Sequence, residues 1–410
     1  MSLSDVNIIK GNGGLGRRNP STDGVTGLIT TGVAVAGKLV LGTTYKLQGI
    51  SDAAAIGIDA KYDTTNSVLV FGVLDEIFRI NPSATVFLIV AAQATLMADL
   101  LDPTKTIAPK LITDSDKTLV QLGVTINPIA GYTGTLTDGL DGQVWDAVNQ
   151  AQLLTDYCDS IHAPLSAVIV EGYHFNGTTT AAKDLRTLDS NKVTIVIGQD
   201  GSSAAATAKP NHAAVGSWLG SVSLAKVNEN IGWPEKFPLT DKKKAKWLKA
   251  ALSGGVSINS FTEEQLNDLD DKGYVFARTI AQQAGLYISD SHTCTEVADD
   301  YNRIEMNRTM DKAIKIVRGS LVPKLKSPIP VDGDTGFILT PIVVDLETQA
   351  QAALDAMLQA TEVSSCDVYI NPEQNVLGTG VIEVGVEIVP IGSAHTINVK
   401  IGFNNPFKTV

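Results

Sequence analysis

The chain has 410 residues, 44% of them hydrophobic, and 32 Lys and Arg against 44 Asp and Glu give a formal charge of −12. That length predicts two or three compact units, and the acidic balance excludes a general nucleic-acid binder and attachment to an anionic membrane surface. Three widely spaced cysteines, Cys158, Cys294 and Cys366, form no CxxC pair, which excludes a disulfide framework or zinc ribbon and fits a reducing compartment.

Residues 1 to about 25 read as an extended arm, with one apolar patch in which Val6, Ile8 and Ile9 favour a short strand. No basic start followed by an apolar block marks a signal peptide. Gly11-Asn12-Gly13-Gly14-Leu15-Gly16 satisfies GxGxxG, but Arg17-Arg18-Asn19-Pro20 cannot open the helix whose amide end a dinucleotide site requires. Residues 67–80, SVLVFGVLDEIFRI, have the density of a buried helix that Asn81-Pro82 stops. The apolar stretch 84–98 falls short of the roughly 20 residues of a membrane span, and Gln93 interrupts it, so residues 85–91 read as a buried strand and the protein as soluble.

Asp138 to Gly142 form a turn, and Val144, Ala147, Val148, Ala151, Leu154 and Cys158 space an amphipathic helix over residues 143–160. A regular alternation follows: strand 167–170, helix 178–188, strand 193–197 and helix 212–226. Uninterrupted apolar strands between helices predict a sheet covered on both faces. KKKAKWLKAAL predicts a helix with a basic first half within residues 236–251, followed by short strands at 275–277 and 286–288.

A long helix is expected over about residues 297–321. Met306, Met310, Ala313, Ile314, Val317 and Leu321 follow the spacing of a buried stripe, while Arg308, Lys312, Lys315 and Arg318 collect elsewhere on the cylinder. Such a charged face is either solvated or a docking surface for an acidic partner. A helix at 346–360 and a strand at 366–370 precede the closing strands. In residues 381–390, Ile382, Val384, Val386 and Ile388 share a face; in 396–403, Ile397, Val399, Ile401 and Phe403 do. An uncovered terminal strand is a template for pairing with another chain, and only Lys400 guards this one.

Catalytic chemistry finds little support. Gly198-Gln199-Asp200-Gly201-Ser202 follows an apolar strand, where α/β proteins place ligand loops, yet lacks a GxSxG elbow or a phosphate loop. Cys158 with His162, and His292 with Cys294, have no second pair at metal spacing. Asp268 to Gly273 begins like a calcium loop, but Lys272 takes a ligand position and the closing Glu is absent. No catalytic residue, cofactor or metal is assigned.

Residues 273 to 403 carry a family resemblance. KGYVFARTIAQQAGLYISDSHTCTE, YNRIEMNRTMDKAIKIV and SSCDVYINPEQNVLGTGVIEVGVEIVPIGSAHTINVKIGF resemble, in the order of their elements, the contractile tail sheath proteins of phages and phage-like injection machines, in a divergent branch. The helix and strand of residues 67–91 are similar to that family's early part. The resemblance implies a non-enzymatic structural subunit that stacks as rings around an inner tube and contracts. Its partners would be copies of itself, an inner tube protein, and baseplate and terminal cap proteins, with no nucleic acid and no direct membrane insertion. It would assemble in a bacterial cytoplasm and then form part of a tail or injection particle.

The expected fold is α/β (α+β overall), a central mixed sheet with helices on both faces plus extended terminal strands that add to neighbouring subunits. The expected division is a linker arm (1–25), an outer α/β region (26–245), an inner sheath core (246–385) and a C-terminal linker strand (386–410). Val6, Ile8, Ile9, Ile397, Val399, Ile401 and Phe403 are then the inter-subunit strand residues, and Arg308, Lys312, Lys315 and Arg318 the candidates to face the tube. Two alternatives remain: an α/β enzyme with a ligand at the Gly198 to Ser202 loop, and another self-assembling shell protein.

Overall fold

Short apolar runs separated by helices line up side by side in the computed structural model, which describes residues 22–203 and 208–403. The arm residues Val6, Ile8 and Ile9 and the glycine run at 11–16 lie outside the described residues. In chain order the first strands are β1 (Thr26–Gly32), β2 (Thr44–Leu47), β3 (Val86–Ala92), β4 (Gln121–Val124), the small hairpin β5 (Leu136–Thr137) and β6 (Leu140–Asp141), then β7 (Ala167–Glu171) and β8 (Val193–Val196). Six of them form one sheet in the order β2-β3-β1-β4-β7-β8, parallel throughout except for β2, which runs antiparallel to β3 at the edge. The chain winds from β1 to one side and then returns to the other, so the direction of winding reverses between β1 and β4. That is the switch point of a doubly wound sheet.

Both faces are covered, as the register shows. Gly27 of β1 pairs with Leu122 of β4 and lies against Leu111 of the Ile107–Asp114 helix. Gly123, one residue on and therefore on the opposite face, lies against Leu219 of the Val215–Leu224 helix. That helix crosses Val70–Ile80 backbone to backbone: a Cβ on Gly216 would stand 2.3 Å from the carbonyl oxygen of Val73. The turn at Asp138-Gly139 has φ of 50° and 92°, the left-handed pair that a two-residue hairpin between β5 and β6 requires.

Beyond the sheet, β9 (Gly198–Asp200) pairs antiparallel with β10 (Ala250–Leu252), and β11 (Ala277–Ile280) with β12 (Gln283–Ile288). The chain's contacts divide it into two units, Met1–Ile329 and Pro330–Val410. In the second unit, Val343, Leu346, Ala350, Leu354 and Met357 form the buried stripe of the Thr340–Gln359 helix. This helix packs on β13 (Val363–Tyr369), which pairs antiparallel with β14 (Gly385–Pro390). The outer edges of this two-stranded sheet meet no third strand among the described residues.

Several sequence expectations need correction. Residues 178–188 form two 3-10 turns, Thr179–Ala181 and Leu185–Thr187, in place of one helix. The helix expected within 236–251 is absent. Its centre is held by tertiary contacts: the Trp247 indole is buried beside Trp218, with ring centroids 5.9 Å apart, and donates to Ser217 Oγ at 3.1 Å. Lys246 reaches Glu76 at 3.1 Å, and Ala245 and Trp247 adopt φ of 52° and 53°, which a right-handed helix cannot contain. The long helix begins at Ile304 rather than near 297. Residues 396–403 form no strand within the chain.

Candidate functional site

Doubly wound sheets bind ligands in the crevice beyond the carboxyl ends of the strands. Here the chain's own side chains fill it. Asn127, three residues past the end of β4, accepts from Leu69 N at 2.7 Å and donates to Thr31 O at 2.8 Å and Thr30 Oγ1 at 3.2 Å. Its backbone N–H donates to Thr31 Oγ1 at 2.6 Å. Glu171, buried at the end of β7, accepts from the N–H groups of Ile126 and Ala213 at 2.9 and 3.1 Å and lies 3.0 Å from His212 Nδ1. Each of these groups is used within the fold, so the crevice offers a ligand few polar partners.

The loop of the enzyme alternative is likewise occupied. Gly198 to Asp200 are strand β9, and Gln199 Nε2 donates to the carbonyls of Pro210 and His212 at 3.1 and 2.7 Å. A cavity of about 80 Å3 remains beside Asp200 and His212. Burial pushes the thiols of Cys158 and Cys294 up to about 12, too high for nucleophiles at neutral pH. Among the described residues no group of three or more His, Cys, Asp or Glu is placed to hold a metal, and no helix is long and apolar enough to cross a membrane. A polar cluster at the ends of apolar strands, Thr30-Thr31 with Thr125 and Asn127, was the sequence signal for this closed crevice, and the sequence reading did not use it.

The Ile304–Leu321 helix inverts its expected orientation. Its buried residues are mainly polar: Glu305, Asn307, Arg308, Thr309 and Asp311, together with Ile304 and Ala313. Met306, Met310, Val317 and Leu321 are half-buried, and Ile314 is exposed. The four cations expected on one face are therefore separated. Arg308 is buried and donates to the carbonyls of Asp23 (2.9 Å), Lys226 (3.1 Å) and Ala225 (3.2 Å), so it is not part of an open docking face. Lys312 pairs with Asp23 at 2.7 Å, Lys315 is half-buried, and Arg318 is exposed. The physical reason is that Arg308 closes the end of the Val215–Leu224 helix and holds the turn at Thr22–Gly24 in one contact.

The C-terminal segment shows the opposite behaviour. Ile397, Val399 and Ile401 are 78%, 71% and 91% exposed, and Phe403 is fully exposed. Four alternating apolar side chains thus lie on a strand-length segment that follows β14 in the chain and has no ladder among the described residues. The structure places these four residues on one continuous segment. Val6, Ile8 and Ile9 lie outside the described residues.

Residues 3–292 match the N-terminal domain of DUF2586, and residues 300–408 match its C-terminal domain. The chain belongs to the DUF2586 family. No curated protein matches it in sequence. Among solved structures, the DUF2586 chain is similar to a chain of the anti-feeding prophage (AFP) baseplate, 6-fold symmetrised, at 14% identity and a TM-score of 0.63, covering 98% of this chain and 99% of that one. A chain of the AFP helical sheath in the contracted state matches at 15% identity and a TM-score of 0.62, covering 98% and 100%. A chain of the PVC sheath complex in the contracted state, from an extracellular contractile injection system, matches at 13% and 0.58, covering 98% of each. These likenesses run the length of the DUF2586 chain and establish its fold as that of contractile sheath proteins, as residues 273–403 led one to expect.

Proposed function

We propose that this chain is a sheath subunit that polymerises as stacked rings around an inner tube and contracts to drive the tube through a target envelope. The observation that carries the reading is the exposure of Ile397, Val399, Ile401 and Phe403. A segment with this pattern gains about 25 cal/mol for each Å2 of apolar surface it buries, and it gains backbone hydrogen bonds as well if it adds to another chain's sheet edge. The edges of the β13–β14 sheet, which meet no third strand among the described residues, supply a matching acceptor on an identical copy. Since donor and acceptor are different surfaces, the contact is heterologous and propagates into rings or helical tubes. The likeness in fold to sheath chains supports the same reading.

In this reading the body from about residue 26 to 245 is the outer region, 246 to 385 the inner core, and 1–25 and 386–410 the linkers, with Val6, Ile8 and Ile9 as the arm's anchors. Of the charged residues on the Ile304–Leu321 helix, the exposed Arg318 is the one suited to the tube, beside the half-buried apolar stripe. The role is mechanical and not enzymatic. The partners are copies of the chain, an inner tube protein, and baseplate and cap proteins. Assembly takes place in a bacterial cytoplasm before the subunit becomes part of the particle.

Electron microscopy of a truncation lacking residues 397–410 tests the reading. The truncated body is expected to remain folded and dispersed under conditions in which the full chain forms striated tubes. Tubes of normal length from the truncation overturn the linkage.

A further inference from the structure

At the amino ends of the parallel strands, opposite the closed crevice, lies a cavity of about 760 Å3. Thr85 and Val120, just before β3 and β4, form part of its wall, and Ser166, just before β7, forms another. Four lysines surround it, Lys46 and Lys117 exposed at the rim and Lys312 and Lys315 deeper in, while Arg308 lies buried in the wall with its guanidinium bonded to backbone carbonyls. The lysines face two carboxylates, Asp23 and Asp116, and Asp23 is already paired with Lys312. Among the described residues, Lys46, Lys117 and Lys315 are in no ion pair with a carboxylate; the neighbouring ion pairs belong to Lys192 and Lys312. Burial holds the Lys315 ammonium below the usual lysine range, against the pull of Asp311 and Asp23, so an added negative charge nearby would be favourable.

This concentration of positive charge sits on a chain of net charge −12, whose remaining surface is correspondingly acidic. We propose that the cavity receives carboxylate side chains from a second copy of this chain, in a heterologous contact distinct from strand addition. Its size suits several side chains; a single small anion would touch only one part of the wall, since pockets of about 300–1,000 Å3 hold molecules of many atoms. Charge complementarity of this kind sets register and speeds encounter. It also weakens with salt, unlike the apolar anchors of the C-terminal segment. The inference rests on the assembly reading above but on different residues.

Zero-length carbodiimide cross-linking, which joins an ammonium to a carboxylate in contact, tests it. Tubes are formed from an equal mixture of ordinary and nitrogen-15-labelled chains, and cross-linked peptides are identified by mass. Expected are mixed-label products joining Lys46, Lys117 or Lys315 to an Asp or Glu. A K46A/K117A/K315A variant, checked for a normal melting temperature, is expected to lower tube yield about tenfold at low salt, a change of about 1.4 kcal/mol shared among three solvent-screened pairs. If that variant melts early, single replacements by Gln give the same readout in smaller steps. Tubes in which these lysines cross-link only within their own label, or whose yield ignores the substitutions, overturn the inference while leaving the sheath reading intact. Binding of tripolyphosphate to the dispersed chain without mixed-label products makes the cavity a small-anion site and also overturns it. A full chain that forms no polymer under any salt condition removes both readings together.

Discussion

β1, TGLITTG, has three threonines and two glycines among seven residues, yet all seven are buried. Residues 396–403, TINVKIGF, alternate polar and apolar without a break, yet Ile397, Val399, Ile401 and Phe403 are exposed. The difference lies in neighbours rather than in side chains. β1 has a parallel ladder on each side, to β3 and β4, and its hydroxyls are bonded: Thr26 Oγ1 donates to Gly24 O at 3.1 Å and accepts from Gln121 Nε2 at 2.8 Å. The closing segment has no ladder among the described residues. A strand pattern therefore says that a segment can be half-buried, while topology decides whether its own chain or another one buries it.

The largest way to break the closed half of this comparison is Asn127→Ala. It removes three side-chain hydrogen bonds, two of them buried, and strands Leu69 N–H, so a loss of about 4 kcal/mol is expected by urea denaturation. A crevice designed for a ligand would tolerate the change far better, and an unchanged midpoint would reopen the enzyme alternative. Next is Arg308→Ala, which leaves the carbonyls of Asp23, Ala225 and Lys226 without their donor and should cost about 3 kcal/mol. If Arg308 were instead a surface cation, its removal would shift the melting temperature hardly at all.

Asp63 gives a smaller, pH-dependent probe of the same body. It accepts from the N–H groups of Val70, Phe71 and Gly72 at the start of the Val70–Ile80 helix, but burial outweighs these bonds and raises its carboxyl from 3.8 to about 6. Because the folded value is the higher one, its contribution to stability is fully present below about pH 4 and is lost as pH rises through about 6. A shift of this size corresponds to roughly 2–3 kcal/mol. Chemical denaturation between pH 4 and 8 should show a decline in the parent chain that Asp63→Asn flattens. Parallel curves would mean that Asp63 is not desolvated as the structure implies.

Much of the fold was legible because its signals were local. The stop at Asn81, the turn at Asp138-Gly139 and the apolar spacing of the Gly142–Ser160 helix all appear where the residues place them. What failed depended on distant partners. KKKAKWLKAAL has helical residues, but Trp247 is drawn into the core by Trp218, Ser217 and Glu76, the nearest of them 29 positions away in sequence. The Ile304–Leu321 helix carries two stripes, and periodicity alone cannot say which one faces inward. Arg308 and Asp311 go inside because Asp23, Ala225, Lys226 and Lys192 wait there with opposite polarity. Of the candidate interface, only the alternation of residues 396–403 was readable in the sequence; the cavity with Lys46 and Lys117 was not, since it joins segments that only the sheet brings together.

The smallest expected effect on stability is also the sharpest test of the comparison. Ile397→Ser with Ile401→Ser removes apolar side chains that are already in water, so the dispersed chain should unfold within about 0.5 kcal/mol of its parent. The same pair of changes in β1, at Leu28 and Ile29, would strip two wholly buried side chains and cost several kcal/mol. In assembly the order reverses. If residues 396–403 complete another copy's sheet, the serines remove the apolar contacts that favour addition, and each is worth about 1.5–3 kcal/mol when fully buried. The critical concentration for tube formation, measured by sedimentation, should then rise by two orders of magnitude or roughly so. A chain that loses stability with these substitutions buries the segment in its own body; one that loses assembly alone keeps it for a neighbour.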